Sequence, residues 1–284
     1  MKYKVDLHSH TMFSDGSDSP ETLVRAMQMS GVNVMALTDH DTTAGIERAI
    51  KEAERYGFSI IPGVEVSTTK YHILGLNIKL GDENFERFLD HIRKNQISEC
   101  EKRIHKLERY GVPISVEKLK NTHDPSTRLG KWNIVNTLFI DSECRDFVVR
   151  DFGYLPAPRA AFEKYLGKNG IAARIKYDAP VHSKDAIKAI HDAGGIAIIA
   201  HPFKEVSNIE KELGRLREKG IDGLEIQPNF GRQNDPFRDY AWKNGWMMTY
   251  GSDFHGAGYN RPLLGNGNEN EIDNLESMLN KWRR

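Results

Sequence analysis

The stretch Val5-Asp6-Leu7-His8-Ser9-His10-Thr11 (VDLHSHT) stands near the head of a 284-residue chain, and its reading governs that of the rest. A short apolar run ends in two histidines one residue apart. Successive side chains on a strand point to opposite faces, so His8 and His10 share one. Two neutral imidazoles converging from one strand begin a metal site. Two exposed histidines at a strand end are the plain alternative. What stands at the ends of the other strands decides between the two.

Apolar runs suited to strands recur at Tyr3–Leu7, Val32–Leu37, Phe58–Ile61, Ile73–Ile78, Ile196–Ala200, Gly223–Ile226 and Trp246–Tyr250. Helical patterns lie between them. Ser19-Pro20-Glu21 offers a cap, a proline at the first helical position and an early acid, and that helix runs to Gly31. Thr43 is expected to cap a second helix that Gly57 ends, and Ser183 a third over Lys184–Ala193. Strands alternating with helices imply a largely parallel sheet, barrel-like or open. From residue 83 to 170 the alternation fails. Helical patterns alone appear there, at Phe85–Tyr110, Val116–Asn121, Gly130–Ile140 and Arg159–Leu166. The expected organisation is therefore an α/β body of residues 1–82 and 171–284, with residues 83–170 as a helical insert that selects substrate.

Charge narrows the partners. Lys+Arg and Asp+Glu are both 40, so the formal net charge is zero. That argues against charge-driven adhesion to long nucleic acid or to a membrane surface, though not against a local basic pocket. No apolar stretch approaches the ~20 residues of a membrane helix, and the first residues lead into a strand rather than a signal peptide. Cys100 and Cys144 stand far apart in no CxxC pattern, as expected of idle thiols in a reducing cytoplasm. No GxSxG motif marks a nucleophile.

The strand ends carry the chemistry. His8 and His10 close the first run, with Asp15 in the loop after it. Val34–Leu37 leads to Thr38-Asp39-His40-Asp41, and Ile60-Ile61-Pro62-Gly63 to Glu65. His72 opens the next run, Ala200 is followed by His201, and the last run reaches Gly251-Ser252-Asp253-Phe254-His255. In parallel α/β barrels and open sheets the carboxyl ends of the strands converge on one mouth. Nitrogen and carboxylate ligands without thiolate suit Mn²⁺, Zn²⁺ or Fe²⁺. Nine candidate ligands exceed the needs of one tetrahedral ion, so two or three metals are expected. His72 begins a run rather than ending one, so an antiparallel neighbour or a bend must bring it to the mouth. Asp6 and Asp39 are candidates for orienting ligand imidazoles, and Asp41 reads as a loop residue.

The separated motifs DLHSHTMFSDG, ALTDHDT, PGVEVS, HILGL, AHP and GSDFH resemble those of the polymerase and histidinol phosphatase family, the PHP domain. The resemblance covers roughly residues 3–80 and 172–265 and implies a distorted (β/α)7-type barrel holding up to three divalent metals, Mn, Fe or Zn. It places His8, His10, Glu65 and Asp253 at the first metal, and Glu65 as a bridge to a second with His72 and His201. Asp15, His40 and His255 fall at a third. The family's activity is mostly phosphoester hydrolysis. The helical segment after HILGL and the YLGKNG stretch at Tyr165–Gly170 are similar to the subgroup of 3′,5′-nucleotide bisphosphate phosphatases and short-RNA 5′ exonucleases.

These residues imply attack on phosphorus by a water made acidic between metals. Glu65 and Asp253 would set the metals, and His201 and His255 would serve as ligands or as proton donors to the leaving oxygen. The expected partner is a small phosphorylated substrate such as a nucleotide. Cyclic phosphates and histidinol phosphate are alternatives within the family. An amidohydrolase and a non-catalytic metal-stabilised module are alternatives of other classes. For a second phosphate, Arg128 and Lys131 are expected to share a helical face, and Arg174 and Lys176 a strand face.

Overall fold

The computed structural model describes residues 4–123, 127, 129–176 and 179–256. The chain forms two compact units. The described residues up to Leu89 and from Val181 make one, and Asp90–Pro180 make the other. These limits fall several residues beyond the boundaries expected at 82/83 and 170/171.

The first unit is built on one seven-stranded sheet whose strands lie in chain order. They are β1 (Val5–Asp6), β2 (Val34–Leu37), β3 (Ser59–Ser67), β4 (His72–Leu76), β5 (Ile196–Ile199), β6 (Gly223–Ile226) and β7 (Met247–Tyr250). The two edges approach one another: Leu7 N–H donates to the Tyr250 carbonyl at 2.8 Å, and Ser9 bridges Phe254 in parallel register. The result is a nearly closed barrel. All four residues of β2 are buried, as a parallel strand covered on both faces requires.

The expectation of a largely parallel sheet needs one correction. β4 runs antiparallel to both β3 and β5, while the other neighbours are parallel. The cause is the short link from Ser67 to His72, which Thr68 closes by donating its N–H and hydroxyl to the Tyr71 carbonyl. A parallel crossover needs a dozen residues or more, so this link can only make a hairpin.

Helices α1 (Pro20–Met29) and α2 (Ile46–Glu54) pack on β2 and bury Leu23, Val24, Met27, Ile46 and Ala49 in one apolar cluster. Ser19 caps α1 by accepting from Thr22 N–H. Thr43 does not cap α2. Gly45 holds that position without a side-chain bond, and the Thr43 hydroxyl goes to Glu86 at 2.5 Å. Ser183 is likewise the first residue of a helix rather than its cap, which is His182.

The second unit is helical, with no strand among its described residues. It contains the latter part of α3 (Glu83–Tyr110), then α4 (Val116–Asn121), α5 (Lys131–Ile140), α6 (Ser142–Phe152) and α7 (Pro158–Tyr165). Their apolar faces meet around Leu107, Ile134, Leu138, Val148 and Tyr165. α6 escaped the periodicity search, yet its cap is plain: Asp141 accepts from Cys144 N–H at 2.9 Å, and Gly153 ends it at φ 76°. After α8 (Ser183–Asp192) the first unit resumes with β5, α9 (Pro202–Glu205), α10 (Ile209–Glu218), β6, a 3-10 segment (Pro228–Asn234), α11 (Asp235–Asn244) and β7. Both cysteines are buried and form no disulfide with one another. No helix among the described residues is long and apolar enough to cross a membrane.

Candidate metal centre

The ends of β1, β2, β3, β5 and β7 deliver their polar residues to one place. Glu65, fully buried on β3, lies at its middle. Its Oε2 is 3.0 Å from His8 Nε2, 3.1 Å from His10 Nε2 and 3.4 Å from His40 Nδ1. Its Oε1 is 3.1 Å from His72 Nδ1 and 3.0 Å from His201 Nε2. The reversal of β4 explains His72: pairing with Ser67 sets this first residue of β4 beside the carboxyl end of β3. Asp253 Oδ1 stands 3.6 Å from His8 Nε2, 3.5 Å from His10 Nε2 and 3.5 Å from His255 Nδ1. Asp15 meets His255 Nε2 at 3.3 Å and His40 Nε2 at 3.8 Å.

Two backbone features hold this arrangement. His201 (φ 28°) and Asp253 (φ 54°) both adopt left-handed conformations, rare for residues with a side chain. Such residues concentrate at functional sites, where the surrounding structure fixes them. Gly251 lies so close to its neighbours that a Cβ there would meet His8 Cβ at 2.3 Å and Glu225 Oε1 at 2.5 Å. Only glycine lets β7 pass this near.

The electrostatics of the cluster are those of a centre built for cations. Burial alone would lower the pKa of His8, but the carboxylates of Glu225, Glu65 and Asp253 outweigh it and hold it well above the ordinary value. His10 is raised to about 9 by Asp253 and Glu65, and His72 to about 9 by Glu65 and Glu205, in each case against burial. Burial would raise Asp15, Glu65 and Asp253, yet the surrounding imidazoles depress all three well below the usual carboxylate range. Divalent cations would supply the same compensation without protons.

The donor set fits such ions. Ligand atoms near 2.1 Å from a tetrahedral ion lie about 3.4 Å apart, close to the separations above. The ligand atoms of His8, His10, Glu65 and Asp253 all lie within 4.8 Å of one another, as do those of His10, Asp15, His40 and His255, and those of His40, Glu65 and His72. His255 Nδ1 donates to the Asp253 carbonyl at 2.8 Å, and its Nε2 faces Asp15 at 3.3 Å. His10 Nδ1 and His201 Nδ1 are buried with no hydrogen-bond partner among the described residues.

All nine expected ligands are thus gathered. Other expected residues behave differently. Asp6 does not orient an imidazole: its Oδ1 accepts from the backbone N–H groups of His8 and Ser252, and burial raises its pKa to about 6. Asp39 instead ties down the Thr11–Ser14 loop, accepting from Thr11 N–H, Thr11 Oγ1 and Ser14 Oγ. Asp41 is a loop residue that accepts from Ser67 N–H at 2.7 Å. Arg128 lies outside the described residues. Lys131 is the first residue of α5 and Gly130 its extended cap. Arg174 and Lys176 are exposed but lie on no strand. Their carbonyls accept from Lys106 and Lys102, and Arg103 binds those of Ala172 and Ala173.

Sequence reasoning missed three residues beside the ligands. Glu225, fully buried on β6, accepts from His8 Nδ1 at 2.8 Å through Oε1 and from His201 N–H at 2.7 Å through Oε2. Its charge in the otherwise apolar run Gly223–Ile226 was the available signal. Lys204 Nζ bonds Asp253 Oδ2 at 2.7 Å and lies over the rings of Phe203 and Phe230. Glu205 holds the backbone N–H of His72 at 2.9 Å.

A nearly closed α/β barrel with a His/Asp/Glu centre at its strand ends defines the class, and similarity to known proteins specifies it. The PHP domain matches over residues 6–123. The chain is 34% identical to a 5'-3' exoribonuclease of Haemophilus influenzae, across 90% of this chain and 91% of that one. It is 30% identical to a phosphoribosyl 1,2-cyclic phosphate 1,2-diphosphodiesterase of Eggerthella lenta, across 92% and 97%. The structure of an amidohydrolase from Chromobacterium violaceum, solved with bound sulfate and no metal, matches with a TM-score of 0.77 and 26% identity, covering 93% of this chain and 90% of that one. This chain belongs to the PHP domain family. The two relatives named by their reactions are hydrolases of phosphate esters.

Proposed function

We propose that the chain is a divalent-metal-dependent phosphoesterase acting on a phosphate ester of a nucleotide. The substrates best supported are the 3′-phosphate of a nucleoside 3′,5′-bisphosphate and the 5′ end of a short RNA. The exoribonuclease relative supports including RNA ends, so a requirement for small substrates alone is not carried forward. The observation that carries the reading is the division of Glu65, whose two oxygens face separate imidazole sets, His8, His10 and His40 on one side and His72 and His201 on the other. A carboxylate so placed is suited to bridge two ions, with His8, His10 and Asp253 at the first, His72 and His201 at the second, and Asp15, His40 and His255 at a third.

Bound Mn²⁺, Fe²⁺ or Zn²⁺ would acidify a water and neutralise charge on phosphorus. The chain's own residues do the rest. Glu225 fixes the His8 tautomer so that Nε2 faces the centre. Asp253 would hold an ion through Oδ1, and its Oδ2 anchors Lys204, which puts an ammonium beside the centre, suited to a phosphate oxygen. His255, donating from Nδ1, is suited to ligation through Nε2, and His201, whose Nε2 faces Glu65, is suited likewise. In the second unit, Lys131, Arg174 and Lys176 present exposed cations, and we propose them, with Arg128, as anion-binding residues.

The experiment is a substrate panel run with Mn²⁺, after chelation and after metal restoration. It compares a nucleoside 3′,5′-bisphosphate, a 5′-phosphorylated oligoribonucleotide, a ribose cyclic phosphate, histidinol phosphate and a dihydroorotate-like amide. Metal-dependent release of phosphate or mononucleotide from the first two is expected. Turnover of the amide alone would replace this reading with an amidohydrolase, and activity indifferent to chelation would end it.

A further inference from the structure

Glu205 closes the single turn of α9, four residues after His201. Its Oε2 accepts from the backbone N–H of His72 at 2.9 Å, which fixes the plane of the carboxylate. The other oxygen, Oε1, then lies 3.5 Å from His72 Nδ1 and 3.7 Å from His201 Nδ1. His72 Nδ1 is the nitrogen that faces the centre, 3.1 Å from Glu65 Oε1 and 3.4 Å from His201 Nε2.

Two roles are open to such a carboxylate. It can act from outside the centre, accepting a hydrogen bond from the far nitrogen of a ligand imidazole, as Glu225 does for His8. The distance to His201 Nδ1 is too long for that, and this nitrogen finds no hydrogen-bond partner among the described residues. It can instead bind an ion directly. One ligand atom each from His72, His201 and Glu205 lies within 4.8 Å of the others. The 3.4 and 3.5 Å separations at His72 Nδ1 match the roughly 3.4 Å edge of a tetrahedral site with bonds near 2.1 Å.

We propose that Glu205 is a protein ligand of the ion held by His72, His201 and Glu65. This inference rests on reading the cluster as a metal centre and adds to it a ligand that the family resemblance does not imply. The subsite then has a carboxylate of its own besides the shared Glu65. That matches the first subsite, where Asp253 stands beside the shared Glu65, so each of the two ions would face two carboxylates.

The test is Mn²⁺ uptake by the full chain at buffered free Mn²⁺, read by elemental analysis and by electron paramagnetic resonance, for wild type, Glu205→Gln and Glu205→Ala. Glutamine keeps an acceptor for His72 N–H and removes only the charge. Glu205→Gln is expected to bind one ion at least ~100-fold more weakly, at or beyond the upper end of the 10–100-fold loss typical of an outer partner. The ion at His8 and His10 is expected to keep its affinity. Glu205→Gln matching wild type in ion number and affinity would overturn the proposal, whatever Glu205→Ala does, and would leave Glu205 as a prop for His72. Wild type taking up no Mn²⁺ would instead defeat the metal centre itself.

Discussion

Replacing Glu225 tests whether the centre depends on a carboxylate that touches no ion. The side chain is fully buried, and its two oxygens serve two different ligands: Oε1 holds His8 Nδ1 at 2.8 Å and Oε2 holds His201 N–H at 2.7 Å. Alanine would strand both donors. A buried unsatisfied group costs ~1–3 kcal/mol, so Glu225→Ala loses ~2–6 kcal/mol of stability, a large part of a typical domain's total. Glutamine is the sharper probe. It keeps the volume in a space where Gly251 leaves no slack, and its amide can accept from only one of the two donors. Loss of such an outer partner weakens metal binding ~10–100-fold, or about 1.4–2.7 kcal/mol.

One effect opposes this. Glu225 is the foremost of the carboxylates that raise the pKa of His8, so the variant's His8 sheds its proton at lower pH and protons compete less with metal. The deficit in Glu225→Gln is therefore expected to widen as pH rises and proton competition fades in both proteins. Chelator competition at several pH values measures the affinity, and urea unfolding of the metal-free proteins measures stability. Wild-type affinity in Glu225→Gln at high pH would refute the orienting role.

Four further outcomes are expected. With His10 and His72 raised to about 9 and His8 well above its ordinary value, metal uptake at pH 7.5 releases protons, about three per chain; calorimetry in buffers of different ionisation enthalpy reads them, and no release would mean that the imidazoles are already neutral. Lys204→Met is expected to lower kcat/KM by ~10–100-fold with metal content unchanged, the size of one charge-assisted hydrogen bond; an unchanged rate would leave Lys204 as a counter-ion of Asp253 only. Glu212 is held at about 2, chiefly by Lys70 with Tyr71 and Ser207, against an unfolded value of 4.5, so its stabilisation is present above 4.5 and fades as pH falls toward 2; Glu212→Gln is expected to lose ~1–3 kcal/mol at pH 6 and to flatten that limb in urea titrations. Arg174→Ala is expected to lose ~1.5–3 kcal/mol in kcat/KM on a nucleoside bisphosphate but not on a small phosphomonoester, and equal rates on both would remove it from substrate binding.

The barrel was legible because β2, β5, β6 and β7 are short apolar runs bounded by turn residues, and periodicity registers such runs directly. The reversal of β4 was not, since direction follows from the length of the Ser67–His72 link rather than from the strand's own residues. Caps were misassigned where two polar candidates competed. Thr43 looks like a cap, but its hydroxyl goes to Glu86, a partner 43 residues away that no local window contains. The same limit applies at Gly130, read locally as the first residue of a helix but placed as the extended cap before Lys131.

The candidate ligands were legible because imidazoles at strand ends are unusual in residue type and in place. Their supports were not, because a carboxylate in a strand interior reads as a pattern fault. Glu225 is such a fault: a charge within Gly223-Leu224-Glu225-Ile226, a run buried throughout. A buried carboxylate costs several kcal/mol unless paired, so its presence there already requires partners of complementary character. Among the described residues those partners are His8, His201 N–H and Gln227, two of them belonging to the centre. A local rule broken inside a core strand was therefore as informative as the histidines, and the same logic extends to His201 and Asp253. Their left-handed backbones cost of order 1–3 kcal/mol each and persist where the surroundings over-determine them. For Asp253 those surroundings include the ion pair with Lys204 and the N–H bond to the His8 carbonyl, so contacts that close the barrel also fix a candidate ligand.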